Sequence, residues 1–391
     1  EIGSGLVGSE MCIRDSIKVE TKDPDLYPKF TSQYTDQTVA ANSVIVVCGD
    51  KSKVVSNSDM WETSTNYQTY QTQTTGFDGE GQITSAITYV TSENNPKVYW
   101  VTGHGEASES DLSTNFSDAV NKNNVEISDL ALMTDDIPED AEELVIMSPT
   151  TDFSEDEANK VITYLENGGK LLMFTSYTGT DMPNLDSILE NYGVKRSSGI
   201  VVETDSQHYY PQMPYYLLPN IQSDDITTEV KSNYILMPVA QAIQKLDSYR
   251  DTITIKSLLT TTEDAYIEND PENSTWSKSA DSETGAFDLG VSITETVDDK
   301  ETQIIYFSSA SMLSSQIDQA ISGANSKLAA TALTSMCDVE QTVVIPSKST
   351  SYTNLVFTQG AVNTWSIITI AGIPLVLVVI GVMIWMKRRK Q

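Results

Sequence analysis

The sequence predicts an α/β fold, a parallel sheet covered by helices, followed by one C-terminal transmembrane helix. Three observations carry this. From Pro96 onward, short apolar stretches alternate with helical ones, the pattern of strands buried in a parallel sheet. Helix starts are marked by the pairs Ser108/Asp111 and Ser154/Glu157, each with the spacing of a capping box. Residues 365–386 read WSIITIAGIPLVLVVIGVMIWM, without a charge.

In chain order, residues 1–16 (EIGSGLVGSEMCIRDS) hold no apolar export stretch. The run GLVGSEMCIRDS resembles a translated sequencing adapter, so this segment is set apart as an artefact, with an export signal expected to be missing. Residues 17–90 read as a partial N-terminal α/β subdomain and linker. Residues 17–20 alternate like a strand, and 24–34 leave room for a short helix. The runs 43–48 and 53–55 flank Gly49-Asp50-Lys51 as a hairpin. This β-α-β-β order resembles the second half of a thioredoxin-like domain, but no Cys-x-x-Cys is present, so no redox role follows. Residues 57–76 read as a loop or edge region and 81–89 as a short linking helix.

Residues 91–346 form the predicted main α/β domain. Strand 98–102 ends at Gly103-His104-Gly105-Glu106, and a helix starts at Ser108, with Leu112, Phe116, Ala119 and Val120 at helical spacing. Strand 144–147 leads to a helix capped by Ser154, whose apolar face is Ala158, Val161, Ile162 and Leu165. Gly168 and Gly169 stop it before strand 170–174. Further strands are expected at 253–259, 287–294 and 303–307, and residues 264–284 as a long polar excursion. A last helix at 325–336 turns Leu328, Ala332 and Leu333 inward, and 342–345 with Pro346 closes the domain.

Residues 347–364 read as a stalk, 365–386 as the span and 387–391 as a basic tail. About twenty apolar residues suffice to cross a hydrocarbon core of about 30 Å. Trp365 and Trp385 stand where aromatic rings favour the interface, and Lys387, Arg388, Arg389 and Lys390 mark the cytoplasmic side. Pro374 is tolerable inside a membrane helix. The net charge is −31, so without these four cations the remainder carries −35. That balance repels phosphates and argues against a nucleic-acid partner. The bulk of the chain is therefore expected outside the cytoplasm and the C-terminus inside. With Cys12 set apart, Cys48 and Cys337 remain, either as a disulfide or, more simply, as buried unpaired thiols.

The candidate ligand site is Gly103, His104, Gly105 and Glu106, at a strand's C-terminal end before a helix, where open α/β sheets bind ligands. His104 could move a proton and Glu106 could pair with it or bind a metal. The competing reading is a tight glycine turn with His104 packed locally, since one His and one Glu are far from a catalytic set. A hydrolase would need a nucleophile on a sharp turn, a base and an acid. The turns offer only Ser148 and Ser176, and the chain has two histidines, His104 and His208. The tyrosines of QHYYPQMPYY (Tyr209, Tyr210, Tyr215, Tyr216) read as a surface loop able to stack on a sugar or a partner. The acidic run 135–140 lacks the spacing of a calcium loop, and there is no P-loop. No catalytic residue, metal or cofactor is assigned.

The segments PKVYWVTGHGE (96–106), FSEDEANKVITYLENGGKLLMF (153–174), ANSKLAATALTSM (324–336) and VVIPSKS (343–349), then a span and a basic end, resemble the auxiliary subunits of ABC-2-type transport systems. That family includes the gliding-motility protein GldG. The resemblance implies an exported domain similar to glutamine-amidotransferase-like, flavodoxin-like folds, and a membrane helix at each end. It also implies partnership with an ABC permease and, through it, an ABC ATPase. Family members carry an acidic turn after the late strand; here Ser308-Ser309-Ala310-Ser311 lacks the Asp, which removes support for a polar function there. The alternatives are a cell-surface carbohydrate- or peptide-binding module and, less favoured, an amidotransferase-like hydrolase.

Overall fold

The computed structural model describes residues 17–389, apart from 24–25, 28, 36–37, 67–70, 93–94, 273–274, 338–344, 346–347 and 350–356. The readings for 1–16, for the closing strand and Pro346, for most of the stalk before 357 and for Lys390 lie outside the described residues. The chain divides into Glu1–Thr91 with Ile345–Ser351, and Ser92–Val344 with Tyr352–Gln391.

In the smaller unit, β1 (Val44–Cys48) and β2 (Lys51–Val55) form the expected hairpin, with Gly49 at φ +57° in its turn. Residues 17–20 are not a strand, and the expected helix at 24–34 appears among the described residues only as a 3-10 turn, Thr31–Gln33. Within residues 57–76, read as a loop or edge region, the chain pairs as a hairpin of β3 (Trp61–Asn66) and β4 (Gln71–Phe77). Their Thr-rich sequence shows no apolar alternation. Helix α1 (Gly79–Thr91) is longer at both ends than expected; its Ala86 packs with Val55 and Met60. Cys48 is exposed, not buried, and both Cys48 and Cys337 are free thiols.

The larger unit opens with β5 (Lys97–Val101). Its next helix breaks in two. Ser108 and Asp111 close a capping box on a single 3-10 turn, and Ser113 then caps α2 (Thr114–Lys122) through the Asn115 N–H. The order continues β6 (Glu126–Leu130), β7 (Glu143–Met147), α3 (Glu155–Glu166), β8 (Lys170–Phe174), α4 (Pro183–Asn191) and β9 (Val194–Val202). After these come β10 (Tyr209–Tyr210), β11 (Met213–Leu217), β12 (Asn220–Ile221), β13 (Met237–Pro238), β14 (Gln241–Lys245), β15 (Ile253–Thr260) and β16 (Tyr266–Glu268). Then follow β17 (Asp288–Val297), β18 (Lys300–Phe307), α5 (Ser315–Ala320) and α6 (Ala324–Met336).

Five of these strands run parallel, in the order β6-β5-β7-β8-β18. The sheet is mixed rather than wholly parallel: β17, β14, β9 and β16 extend it with antiparallel pairings, and β15 and β12 branch from β17. The cause is local. Asp298 and Asp299, at φ +50° and +62°, make a two-residue turn whose twist suits a hairpin, so β18 returns directly beside β17.

Strand alternation sends Val98, Trp100, Val145, Met147, Leu172 and Phe174 to one face, with Phe116 and Val120 of α2 and Leu328 and Leu333 of α6. Leu144, Ile146, Leu171 and Met173 go to the other, with Val161 and Leu165 of α3 and Leu185 and Ile188 of α4. Two buried polar side chains tie the first layer. Asp318 accepts from Ser113 Oγ (2.7 Å), Asn115 Nδ2 (2.8 Å) and the Ser326 N–H (2.9 Å). Asn325 accepts from the Leu236 N–H and donates to the Leu236 and Met312 carbonyls.

At the start of β7 the fully buried Glu143 accepts a hydrogen bond from Cys337 Sγ at 3.3 Å. Burial pushes its carboxyl well above the ordinary range, and the thiol bond opposes this only in part. The folded chain therefore holds a proton that the unfolded chain loses near pH 4.3 (about the free glutamate value). Its stabilising contribution is complete below that pH and is lost as pH rises through the raised value. Glu143→Gln should leave melting at pH 4 unchanged and raise it at pH 8, read by thermal denaturation at the two pH values.

The C-terminal helix is continuous from Gln359 to Arg389, about 46 Å at 1.5 Å per residue. It begins inside the segment read as a stalk. It comprises α7 (Gln359–Ile367), one π-helical stretch (Ile368–Gly372) and α8 (Ile373–Arg389). The widened stretch directly precedes Pro374, whose ring lacks an N–H and crowds the carbonyl four residues back. Its apolar side chains face outward, and at its far end the Arg389 guanidinium lies 5.2 Å from the Trp385 ring.

Candidate functional site

The sheet brings the loops after β5 and β7 side by side at the carboxyl ends of adjacent parallel strands. Gly103 (φ +125°) and Gly105 (φ +76°) shape the first loop. Between them the His104 carbonyl accepts the backbone N–H groups of Thr150 (2.9 Å) and Thr151 (3.1 Å), and both hydroxyls at 3.2 Å. A Cβ at Gly105 would lie 2.1 Å from Thr150 Oγ1. Gly105→Ala should therefore cost ~1–3 kcal/mol, the range for a residue held in a disfavoured backbone region, measured as a lowered melting temperature.

The His104 ring is buried and braced on three sides. Nδ1 lies 3.3 Å from Glu106 Oε1, Nε2 lies 3.3 Å from Glu157 Oε2, and the ring packs on Phe153 at 4.4 Å between centroids. Glu106 Oε2 also accepts the His104 N–H at 2.7 Å. Glu157 is the capping-box acid of α3; its Oε2 takes the Ser154 N–H (2.9 Å) and hydroxyl (2.7 Å). Burial alone would raise the Glu157 carboxyl, but the Ser154 hydrogen bonds and the His104 charge outweigh it and hold the carboxyl below its usual value. Its other oxygen, Oε1, is buried without a hydrogen-bond partner among the described residues.

The four predicted residues form this one loop; the His104 ring and the Glu106 carboxylate face partners in the chain itself, and Gly103 and Gly105 are exposed. Glu157, Thr150, Thr151 and Phe153, which complete the arrangement, escaped the sequence reading; Glu157 carried a signal, but it read only as a helix cap.

Ser148 and Ser176 also meet. Ser148 sits at φ +54° at the end of β7, and its hydroxyl donates to Ser176 Oγ at 2.8 Å. No hydrogen bond joins either serine to His104 among the described residues, and both imidazole nitrogens face carboxylates. The turn after β18 is structural: Ser308 Oγ donates to the Leu289 carbonyl and Ser309 Oγ to that of Pro238. The segment with His208 is not a loop but the β10–β11 hairpin, with His208 Nδ1 3.1 Å from the Leu218 carbonyl. Tyr215 packs against Trp276 with the rings tilted by 32° and their centroids 4.4 Å apart.

Residues 95–335 match the protein family described as "ABC-type uncharacterized transport system". No curated protein matches the chain. Among solved structures, the mmIFT52 N-terminal domain aligns with 61% of this chain and 96% of its own, at 15% identity and a TM-score of 0.45. A putative ThuA-like protein from Parabacteroides merdae aligns with 66% and 98%, at 12% identity and a TM-score of 0.33. The exo-beta-1,4-mannosidase Op5Man5 from Opitutaceae bacterium strain TAV5 aligns with 65% and 37%, at 10% identity and a TM-score of 0.32.

Proposed function

The chain belongs to this ABC-type transport family as an auxiliary component, and from that premise we propose that it is a non-enzymatic subunit anchored by its C-terminal helix. The carrying observation is the family match, which spans the chain from β5 into α6 and precedes a helix with an apolar exterior. The units before the helix lie outside the cytoplasm, and the basic end lies inside. Trp365 and Trp385 sit at the two interfaces. The helix docks on a permease, and through it the chain serves an ATPase, a relationship of the GldG kind. The parallel order β6-β5-β7-β8-β18 supports a flavodoxin-like core, in which His104 and Ser148 flank the switch point between β5 and β7. Cross-linking in intact cells, followed by mass spectrometry of the tagged chain, tests the partnership. Permease peptides are expected; recovery of the chain alone would remove the proposal.

One observation favours a second reading, a carbohydrate- or peptide-binding module built on Gly103–Glu106. Glu157 Oε1 is a buried acceptor with no donor among the described residues, on the carboxylate that faces His104. A ligand that donates there should raise the melting temperature of the parent chain and not of His104→Gln; an equal shift in both would dismiss it. A hydrolase is supported least, because His104 is engaged by two carboxylates rather than by Ser148.

A further inference from the structure

The C-terminal helix does not leave the larger unit through a free tether. Its first turn is seated on the segment that leads into β10 and β11. The Gly360 N–H donates to the Ser206 carbonyl at 2.6 Å, and Thr358 Oγ1 donates to Gln207 Oε1 at 3.1 Å. The Gln212 N–H, at the hairpin tip, donates to Gln359 Oε1 at 2.9 Å. The approach is close: a Cβ on Gly360 would fall 1.5 Å from Gln207 Nε2.

This contact fixes a height. Gln359 and Trp365 are six residues apart, about 9 Å along a helix axis at 1.5 Å per residue. The headgroup layer on each face of a bilayer is about 5–7 Å deep. With Trp365 at the interface, the hairpin tip stands at or just above the headgroups. The side chains around the junction suit that place. Met213 at the tip, Phe357 before the helix and Val362 on its first turns are 38%, 47% and 37% exposed.

Charge points the same way. The chain has 55 acidic residues in 391, about one in seven, yet the eighteen residues 206–223 between Asp205 and Asp224 contain no charged side chain. They hold instead four tyrosines, three prolines and Met213, a composition that enters an interfacial layer without the cost of desolvating charge.

We propose that the β10–β11 hairpin is a lipid-facing foot, whose tip at Pro211–Met213 rests against the outer edge of the headgroup layer and sets the angle of the larger unit on the membrane. This rests on the C-terminal helix lying in a bilayer. The foot turns an anchor into an orienting mount, because a helix and a second contact together restrict the tilt that a helix alone permits.

The test places a nitroxide label on Met213→Cys in the full chain, with Cys12 and Cys48 changed to Ser, reconstituted into phosphatidylcholine vesicles. Glu166→Cys, exposed in the last turn of α3, serves as the aqueous control. The Met213 label should be several-fold more accessible to oxygen, relative to a water-soluble nickel chelate, than the control. Equal aqueous accessibility at the two sites in a chain that floats with the vesicles overturns the foot and leaves the anchor intact. A chain that does not float overturns both. Shielding of Met213 from both reagents only when permease is co-reconstituted assigns the hairpin to a protein partner, and overturns the lipid contact.

Discussion

His104→Ala is expected to lower the melting temperature of the larger unit by roughly 10 °C, from a loss of about 3–5 kcal/mol at some 2–4 °C per kcal/mol. The size follows from what is left behind. Removing the imidazole strands the Glu106 and Glu157 carboxylates in a buried pocket, with Phe153 facing the gap. Each would have to take up a proton or admit water. His104→Gln, which keeps a donor toward one carboxylate, should lose about half as much. Circular dichroism of the detergent-solubilised chain at pH 7.5 measures both. A loss below about 1 kcal/mol, the level of an exposed ion pair, would show that the cluster does not brace the strand ends.

Asp318→Ala should be comparably damaging, by about 3–5 kcal/mol. One carboxylate gathers the Ser113 hydroxyl, the Asn115 amide and the Ser326 N–H, so it joins the start of α2 to the start of α6 across more than two hundred residues of sequence. Alanine leaves the Ser113 hydroxyl and the Ser326 N–H buried without this acceptor and releases the exposed Asn115 amide. Asp318→Asn retains the shape and one acceptor and should cost markedly less. Because α2 and α6 cover the same face of the sheet, hydrogen exchange should report the loss in both helices together. Exchange confined to α5 would contradict the bridging role.

What could be read from the sequence was whatever carried its own local signal. The Ser154/Glu157 box, the Gly168-Gly169 stop and the apolar run of β8 place strand and helix ends almost to the residue. Strand β6 was invisible because EISDL lies at the sheet edge with only Leu130 buried, so no apolar alternation exists to read. The polar β3–β4 hairpin reads only as a loop or edge region, because its Thr-rich sequence likewise shows no apolar alternation. The reversal at Asp298-Asp299 depends on two left-handed residues that are not glycine, which hid the mixed sheet.

At the candidate site, spacing identified Gly103–Glu106 and the strand end that holds them. It did not show that a cap on α3 would supply the second carboxylate, because that contact joins residues more than fifty positions apart. The roles of Asp318 and Asn325 are likewise hidden in the sequence, because tertiary packing alone brings their partners to them.

The central claim is partnership with an ABC transporter, and the most direct measurement is purification of the tagged full chain in a mild detergent, followed by stoichiometry. The expected result is a stable complex with an ABC permease and its ATPase at a fixed ratio, lost when the chain is cut before Gln359. A monodisperse chain that retains no transporter subunit under the same conditions would contradict it.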